Sequence, residues 1–250
     1  MKIAAKVQYF GLNYYGFQRQ PNHESVQGKL EEALSNLLNE MVLIHGAGRT
    51  DRYVSALGQV ISFEVKKPIK NLEDFRFHYN QLLPEDIVVT KMVVVDDSFD
   101  ARHSCIGKRY RYRFNLGDRI PMELGRIAYL GDREFDEKAF KSCLDLYLGV
   151  HNFMNFTTKK EDIDGFIRDV KSIELTSQNG IYEVMLESNG FMTYQIRFMI
   201  GAALKVAFHK MSLEEVQSYL DMAERHTLSY KAPAEGLVLE EVLYEQSIFA

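Results

Sequence analysis

The same order of segments is written twice along this chain, and few folds accept that repetition. Lys2 to Phe10 alternates apolar and polar side chains, with Ile3, Ala5, Val7 and Tyr9 on one face, the period of a strand. Ser25 is placed to cap a helix in which Val26, Leu30, Ala33, Leu34, Leu37 and Leu38 recur at helical spacing. Val42-Leu43-Ile44 reads as a short strand and Leu57 to Val65 as another. A helix over 71–83 is stopped by Pro84, and the β-branched run 86–95 closes the first set as a strand. The second set begins with a strand over 108–115 and a helix over 136–148, which Gly149 is placed to end. Strands over 167–175 and 181–187 follow, joined through Gln178-Asn179-Gly180, where Asn-Gly is a strong hairpin signal. Then come a helix over 191–208, a helix opened by the capping box Ser212…Glu215, and a last strand over 237–244. The order β-α-β-β-α-β, taken twice, predicts an α+β protein of two ferredoxin-like (RRM-like) units, 1–100 and 101–250. Their antiparallel sheets are expected to join around a central cleft, a default place for a site.

The chain has 250 residues, of which 46% are hydrophobic, enough for a sizeable core. Its most apolar stretch, 191–208, carries Gln195, Arg197 and Lys205, so no membrane span is expected. The first residues alternate and lack the apolar block of a secretory signal. Cys105 and Cys143 read as free buried thiols, which points to a reducing, cytoplasmic setting. The net charge of −5 argues against a generic nucleic-acid binder, but its distribution is uneven. Between Ala101 and Gly117 lie Arg102, Lys108, Arg109, Arg111 and Arg113 with no acidic residue, a local basic face on an acidic protein. Phosphate loops, dinucleotide fingerprints and Cys/His metal spacings are all missing, and His103, His151 and His209 are scattered.

Three features stand out. Arg197 is the one charged residue between Glu187 and Lys205, in a helix apolar on nearly every face. A buried guanidinium is costly without a carboxylate partner, whether that pair serves structure or chemistry. Asp51 is the candidate partner, in the loop Gly46-Ala47-Gly48-Arg49-Thr50-Asp51-Arg52 between two expected strands. Glycines permit a sharp turn or a close approach there, and on residue types alone the loop is equally an ordinary turn. In the third feature, Tyr110, Tyr112 and Phe114 share one strand face, and Arg109, Arg111 and Arg113 share the other. Such a strand either stacks bases and holds phosphates or simply has a core face and a solvated face.

Five segments in order resemble the tRNA pseudouridine synthase A (TruA-type) family over nearly the whole chain. They are Gly16-Phe17-Gln18-Arg19-Gln20-Pro21; Gly48-Arg49-Thr50-Asp51 followed by Ala56-Leu57-Gly58-Gln59-Val60; Phe99-Asp100-Ala101-Arg102 with Lys108-Arg109-Tyr110-Arg111-Tyr112; Gly190-Phe191 with Arg197 and Gly201; and Ala232-Pro233-Ala234-Glu235-Gly236-Leu237. The resemblance implies a catalytic Asp51 paired with Arg197, a Tyr110 that packs on the target base and an Arg49 that helps extrude it. Arg19, Gln20, Arg102, Arg109 and Arg111 are the further candidates for substrate contact. It also implies a homodimer that acts on tRNA without metal or organic cofactor, at uridines 38 to 40 of the anticodon stem-loop. Two positions depart from the pattern: Tyr53 stands where the family commonly has Gly, and Ser55 where many bacterial members have His.

Two other functions fit parts of this pattern. A non-catalytic RNA-binding protein with two RRM-like units explains the Tyr/Arg strand but not Arg197 or the Asp51 loop. A nucleoside glycosidase requires a second catalytic carboxylate, for which the sequence offers no candidate.

Overall fold

A computed structural model describes residues 1–161 and 165–249. In chain order its regular elements begin with β1 (Lys2–Tyr9), α1 (Val26–Leu38), β2 (His45–Gly46), β3 (Ser55–Glu64), α2 (Leu72–Leu82) and β4 (Ile87–Val95). They continue with β5 (Cys105–Asn115), β6 (Ala128–Tyr129), α3 (Glu137–Asp145), β7 (Gly149–Asn152), β8 (Ile167–Gln178) and β9 (Ile181–Ser188). The last are α4 (Gln195–Ala207), α5 (Leu213–Asp221) and β10 (Leu237–Tyr244). The chain forms two compact units, Met1–Gly107 together with the residues from Val238 onward, and Lys108–Leu237.

In the first unit β1 lies between β4 and β3, antiparallel to both, with Ala5 opposite Met92 on one side and Ile61 on the other. β2 pairs antiparallel with β3 at His45↔Ser62, and β10 pairs parallel with β3 at Val238↔Ser55. The expected alternation in β1 holds for Ile3, Ala5, Val7 and Tyr9, all buried, and Ala4 is buried as well. β3 is buried from Gly58 to Phe63. At Gly58 a Cβ would lie 2.1 Å from the Glu240 carbonyl oxygen, so a glycine lets the β10 backbone close on β3. Helix α1 starts as read: the Ser25 hydroxyl accepts from Gly28 N–H at 3.2 Å. It ends at Asn39, left-handed at φ 50°. Tyr79 of α2, fully buried, donates to the Leu30 carbonyl at 2.8 Å and fastens the two helices.

Val42-Leu43-Ile44 does not pair as a strand. Its burial alternates, with Leu43 61% exposed between two buried neighbours. Two side chains of α1 take the backbone donors a ladder needs: the Ser35 hydroxyl accepts from Val42 N–H at 3.1 Å and the Glu31 carboxylate from Ile44 N–H at 3.1 Å. Pairing begins only at His45.

In the second unit β9 lies between β5 and β8, antiparallel to both, and β7 adds antiparallel to β8. The β8–β9 hairpin turns on Asn179 and Gly180, both left-handed at φ 53° and 76°, as an Asn-Gly turn requires. The core is aromatic: Phe114, Phe140, Tyr147, Phe153 and Phe156 are fully buried against α3 and α4. Burial pushes the Cys143 thiol of α3 up to about 11, so it stays an inert thiol. Cys105 is only half-buried. The capping box at Ser212 and Glu215 is complete. β6 and β7 carried no alternation to reveal them. Helix α3 stops three residues before the expected end because the chain tightens there and Gly149, at φ 91°, opens β7. Among the described residues, no helix is long and apolar enough to cross a membrane.

Candidate active site and nucleic-acid face

The Asp51 loop is built into the first unit from several directions. It continues the β2–β3 pairing through Ala47 N–H, which donates to Val60 at 2.8 Å, and through Gln59, whose Nε2 donates to the Gly48 carbonyl at 2.9 Å. Thr50 is buried, its Oγ1 2.7 Å from the Tyr9 hydroxyl at the end of β1. Burial drives that phenol well above its ordinary range, so it stays neutral. The Thr50 carbonyl accepts from Phe17 N–H at 3.1 Å. Gly16, at φ +95°, makes this approach possible, since a Cβ there would lie 2.7 Å from the Thr50 oxygen. The Phe17 ring covers Gly46, where a Cβ would meet it at 2.4 Å. The Gly16-Phe17 motif is therefore the floor on which the Asp51 loop rests. Asp51 itself is half-buried, and its carbonyl accepts from Val54 N–H at 3.1 Å across the turn that contains Tyr53.

Ser55 has a structural job. Its hydroxyl accepts from Gly11 N–H at 2.9 Å. Gly11 passes so close to Val54 that a Cβ would lie 2.2 Å from its carbonyl oxygen. Arg49 and Arg102 are exposed. The Arg102 and His103 N–H groups both donate to Asp100 at 2.8 Å. Burial alone would raise that carboxyl, but these donors hold it below the usual carboxylate range. Arg19 projects from the surface yet pairs with the buried Glu31 carboxylate at 2.6 Å. Gln20 donates to the Tyr15 carbonyl at 3.0 Å. The structure thus gathers Arg19, Gln20 and the Asp51 loop on neighbouring segments of one unit.

The second unit carries Tyr110, Arg109, Arg111 and Arg197. The structure decides between the two readings of the β5 aromatic face and corrects the reading of its basic face. Its aromatic face is core: Tyr112 and Phe114 are fully buried and Tyr110 is only 7% exposed, edge-on to Phe191 with centroids 5.5 Å apart. An RRM-like stacking platform, which needs rings open to solvent, is not present on this strand. Its basic face is counter-charged. Arg109 pairs with Glu187 at 2.8 Å, Arg111 with Glu183 at 3.5 Å, and Arg113 with Glu123 at 3.4 Å and Glu183 at 3.7 Å. The cluster that looked uniformly positive in sequence is a mixed-charge surface once β9 lies beside it.

Arg197 is half-buried rather than fully buried, because α4 begins at Gln195 and Arg197 lies in its first turn. The expected start at Phe191 fails because Tyr194 is left-handed at φ 63°. Gln195 also folds back to accept Met192 N–H at 2.9 Å. Arg197 and Ala232 grip one another: Arg197 Nε donates to the Ala232 carbonyl and Ala232 N–H to the Arg197 carbonyl, each at 2.8 Å. This ties the Ala232–Gly236 motif to α4. Gly236 in turn lies against β5, where a Cβ would be 2.5 Å from the Arg113 oxygen.

The tRNA pseudouridine synthase family matches this chain over residues 5–104 and 144–245. The chain belongs to that family. Two tRNA pseudouridine synthase A proteins of Staphylococcus aureus, from strains JH1 and MRSA252, are each 29% identical to it over 248 residues. That span is 99% of this chain and 92% or 93% of theirs. A chain of a solved Cbf5-Nop10-Gar1 complex aligns with 81% of this chain and 54% of its own length at 12% identity. The TM-score of 0.34 is too low for that likeness to bear on the site. As a member of the family this enzyme is an isomerase acting on tRNA uridine. The family match takes in Arg19, Gln20, Arg49, Asp51 and Arg102 in its first stretch and Arg197 with Ala232–Gly236 in its second. Tyr110, Arg109 and Arg111 fall between the two.

Proposed function

We propose that this synthase isomerises uridine in the anticodon stem-loop of tRNA, with Asp51 as its catalytic carboxylate. The observation that carries this reading is the Asp51 loop, held by Gly16, Phe17, Tyr9 and Gln59 far more firmly than an ordinary surface turn requires. The reaction breaks the N-glycosidic bond, turns the base and rejoins it to the sugar through C5, with no net gain or loss of atoms. A stem uridine must first leave the stack, at a cost of roughly a few kcal/mol. Arg49 is exposed beside Asp51 and suits that extrusion, while Arg19, Gln20 and Arg102 offer contacts to the backbone. Asp51 acts ionised, as nucleophile or as base toward the sugar. Arg197 is its proposed charge partner, an assignment that rests on the family motif, because an adjacent cation keeps a carboxylate ionised despite burial. Tyr110 packs on the extruded base once its contact with Phe191 opens.

A ferredoxin-like plan for each half of the chain belongs to the same reading, with the strand pairing as its support. The first pairs its strands in the order β4-β1-β3-β2, and in the second β9 lies between β5 and β8. Family resemblance supports a homodimer, checked by light scattering at known concentration. It supports targets at uridines 38 to 40, and together with the two free thiols it supports a cytoplasmic setting.

Mapping pseudouridine in tRNA from cells with and without this protein tests reaction and target together. Sites that vanish from the anticodon stem-loop are expected, and an unchanged map would sink the reading. Arg197→Gln should move the acid limb of the kcat/KM profile to higher pH. Removing the cation raises the Asp51 pKa, so the ionised form is lost earlier as pH falls. An unshifted limb would disconnect Arg197 from Asp51.

A further inference from the structure

Tyr53, two residues past Asp51, holds φ +71°, a conformation that a bulky side chain rarely adopts and that costs about 1–2 kcal/mol. The family commonly places glycine there. Core packing does not explain the tyrosine, which is half-exposed. Instead it ends a column of planar groups. The Arg52 guanidinium lies 4.3 Å over the Tyr53 ring and 3.9 Å over the Tyr15 ring. Tyr15 stacks on His23 with centroids 4.0 Å apart and planes 10° from parallel. Two planar partners that close to one ring need its opposite faces, so the order is His23, Tyr15, Arg52, Tyr53. His23, Tyr15 and Arg52 are exposed, and all four belong to the first unit.

A solvent-facing column whose layers lie near the spacing of stacked bases contributes little to a core. It has a permanent cation in its middle, and Tyr53 at its end lies two residues past Asp51. Aromatic rings and guanidinium planes at such positions stack unpaired nucleobases and attract phosphate. We propose that Tyr53, backed by Arg52 and Tyr15, is a positioning residue that stacks the nucleotide flanking the target uridine. This rests on the reaction proposed above. Tyr53 does not touch the reacting atoms; it holds the neighbouring base so that the uridine stays out of the helix, beside Asp51.

The test uses the full-length protein with tRNA carrying 2-aminopurine next to the mapped target uridine, and reads fluorescence and tritium release together. The wild type and Tyr53→Phe should quench the probe. Tyr53→Gly should not, and its KM should rise about tenfold, the size of one lost base–aromatic stack, with kcat within about twofold. Glycine suits the left-handed turn, so that variant should melt no lower than the wild type. If Tyr53→Gly quenches the probe and binds as the wild type does, or loses kcat with KM unchanged, the inference fails while the reaction stands. A wild type that releases no tritium overturns the proposed reaction, and this inference with it.

Discussion

Asp51→Asn is expected to lower tritium release from 5-labelled uridine in tRNA by about three orders of magnitude or more, with tRNA binding retained. The substitution keeps the shape of the side chain, removes its charge and turns one acceptor oxygen into an amide donor. The loop is positioned by Thr50, Gly48 and Ala47 through backbone and neighbouring side chains, none of which needs the Asp51 carboxylate. A melting midpoint within a few degrees of the wild type would show the fold intact, and the lost rate then reports chemistry. The loss is common to a nucleophile and a base, so it tests the residue rather than choosing between the roles. Binding measured by filter retention or fluorescence should stay within about threefold, because the contacts proposed for backbone phosphates lie on other residues. Turnover at anything near the wild-type rate would remove Asp51 from the mechanism.

Gly16→Ala is expected to cost both stability and rate, although Gly16 touches no substrate. Its φ of +95° strains any Cβ-bearing residue, and the new methyl would lie 2.7 Å from the Thr50 oxygen and 3.2 Å from the Asp51 carbonyl carbon. Strain and clash together are worth roughly 2–4 kcal/mol, a fall in melting midpoint of about 5–12 °C for a chain of this size. Relief requires the Thr50–Asp51 backbone to move by a sizeable fraction of an ångström. A displacement of about 1 Å at a catalytic group costs about a hundredfold in rate. Scanning calorimetry reads the first effect and single-turnover kinetics the second. A variant that melts lower but keeps its rate would show that Asp51 is located by other means. One unchanged in both would show that the Gly16 approach is not a constraint at all.

Much of the fold was legible because local signals and tertiary pairing agree. β10 was bounded to the residue, Ser25 and Ser212 cap the helices they were expected to cap, and Asn179-Gly180 turns the hairpin it was expected to turn. The expectations failed where a distant partner decides. The β5 arginines looked free because nothing within their own segment is acidic. Their counter-charges come from β9, whose register sets Arg109 opposite Glu187 and Arg113 opposite Glu183. Val42–Ile44 has the pattern of a strand, but its donors go to Ser35 and Glu31. Of the candidate site, the Asp51 loop shows in the sequence through its motif. Its supports show only in part: Gly16-Phe17 shows as a motif, whereas the alternation of β1 puts Tyr9 on a strand face and says nothing of its bond to Thr50. Tyr53 carried a usable signal, since a family glycine at a turn announces a left-handed backbone. The Arg52–Tyr15–His23 column carried none, because its members come from two separate segments.

The close seat of β10 on β3 at Gly58 also bears on the order in which the chain is made. β3 emerges early from the ribosome, but the strand that pairs with its Ser55–Ala56 end follows only after the whole second unit has been synthesised. Until then the Ser55–Ala56 edge that β10 will cover is unpaired and open to wrong partners. The first unit can collapse during translation, yet β3 gains its β10 partner only when the last strand arrives.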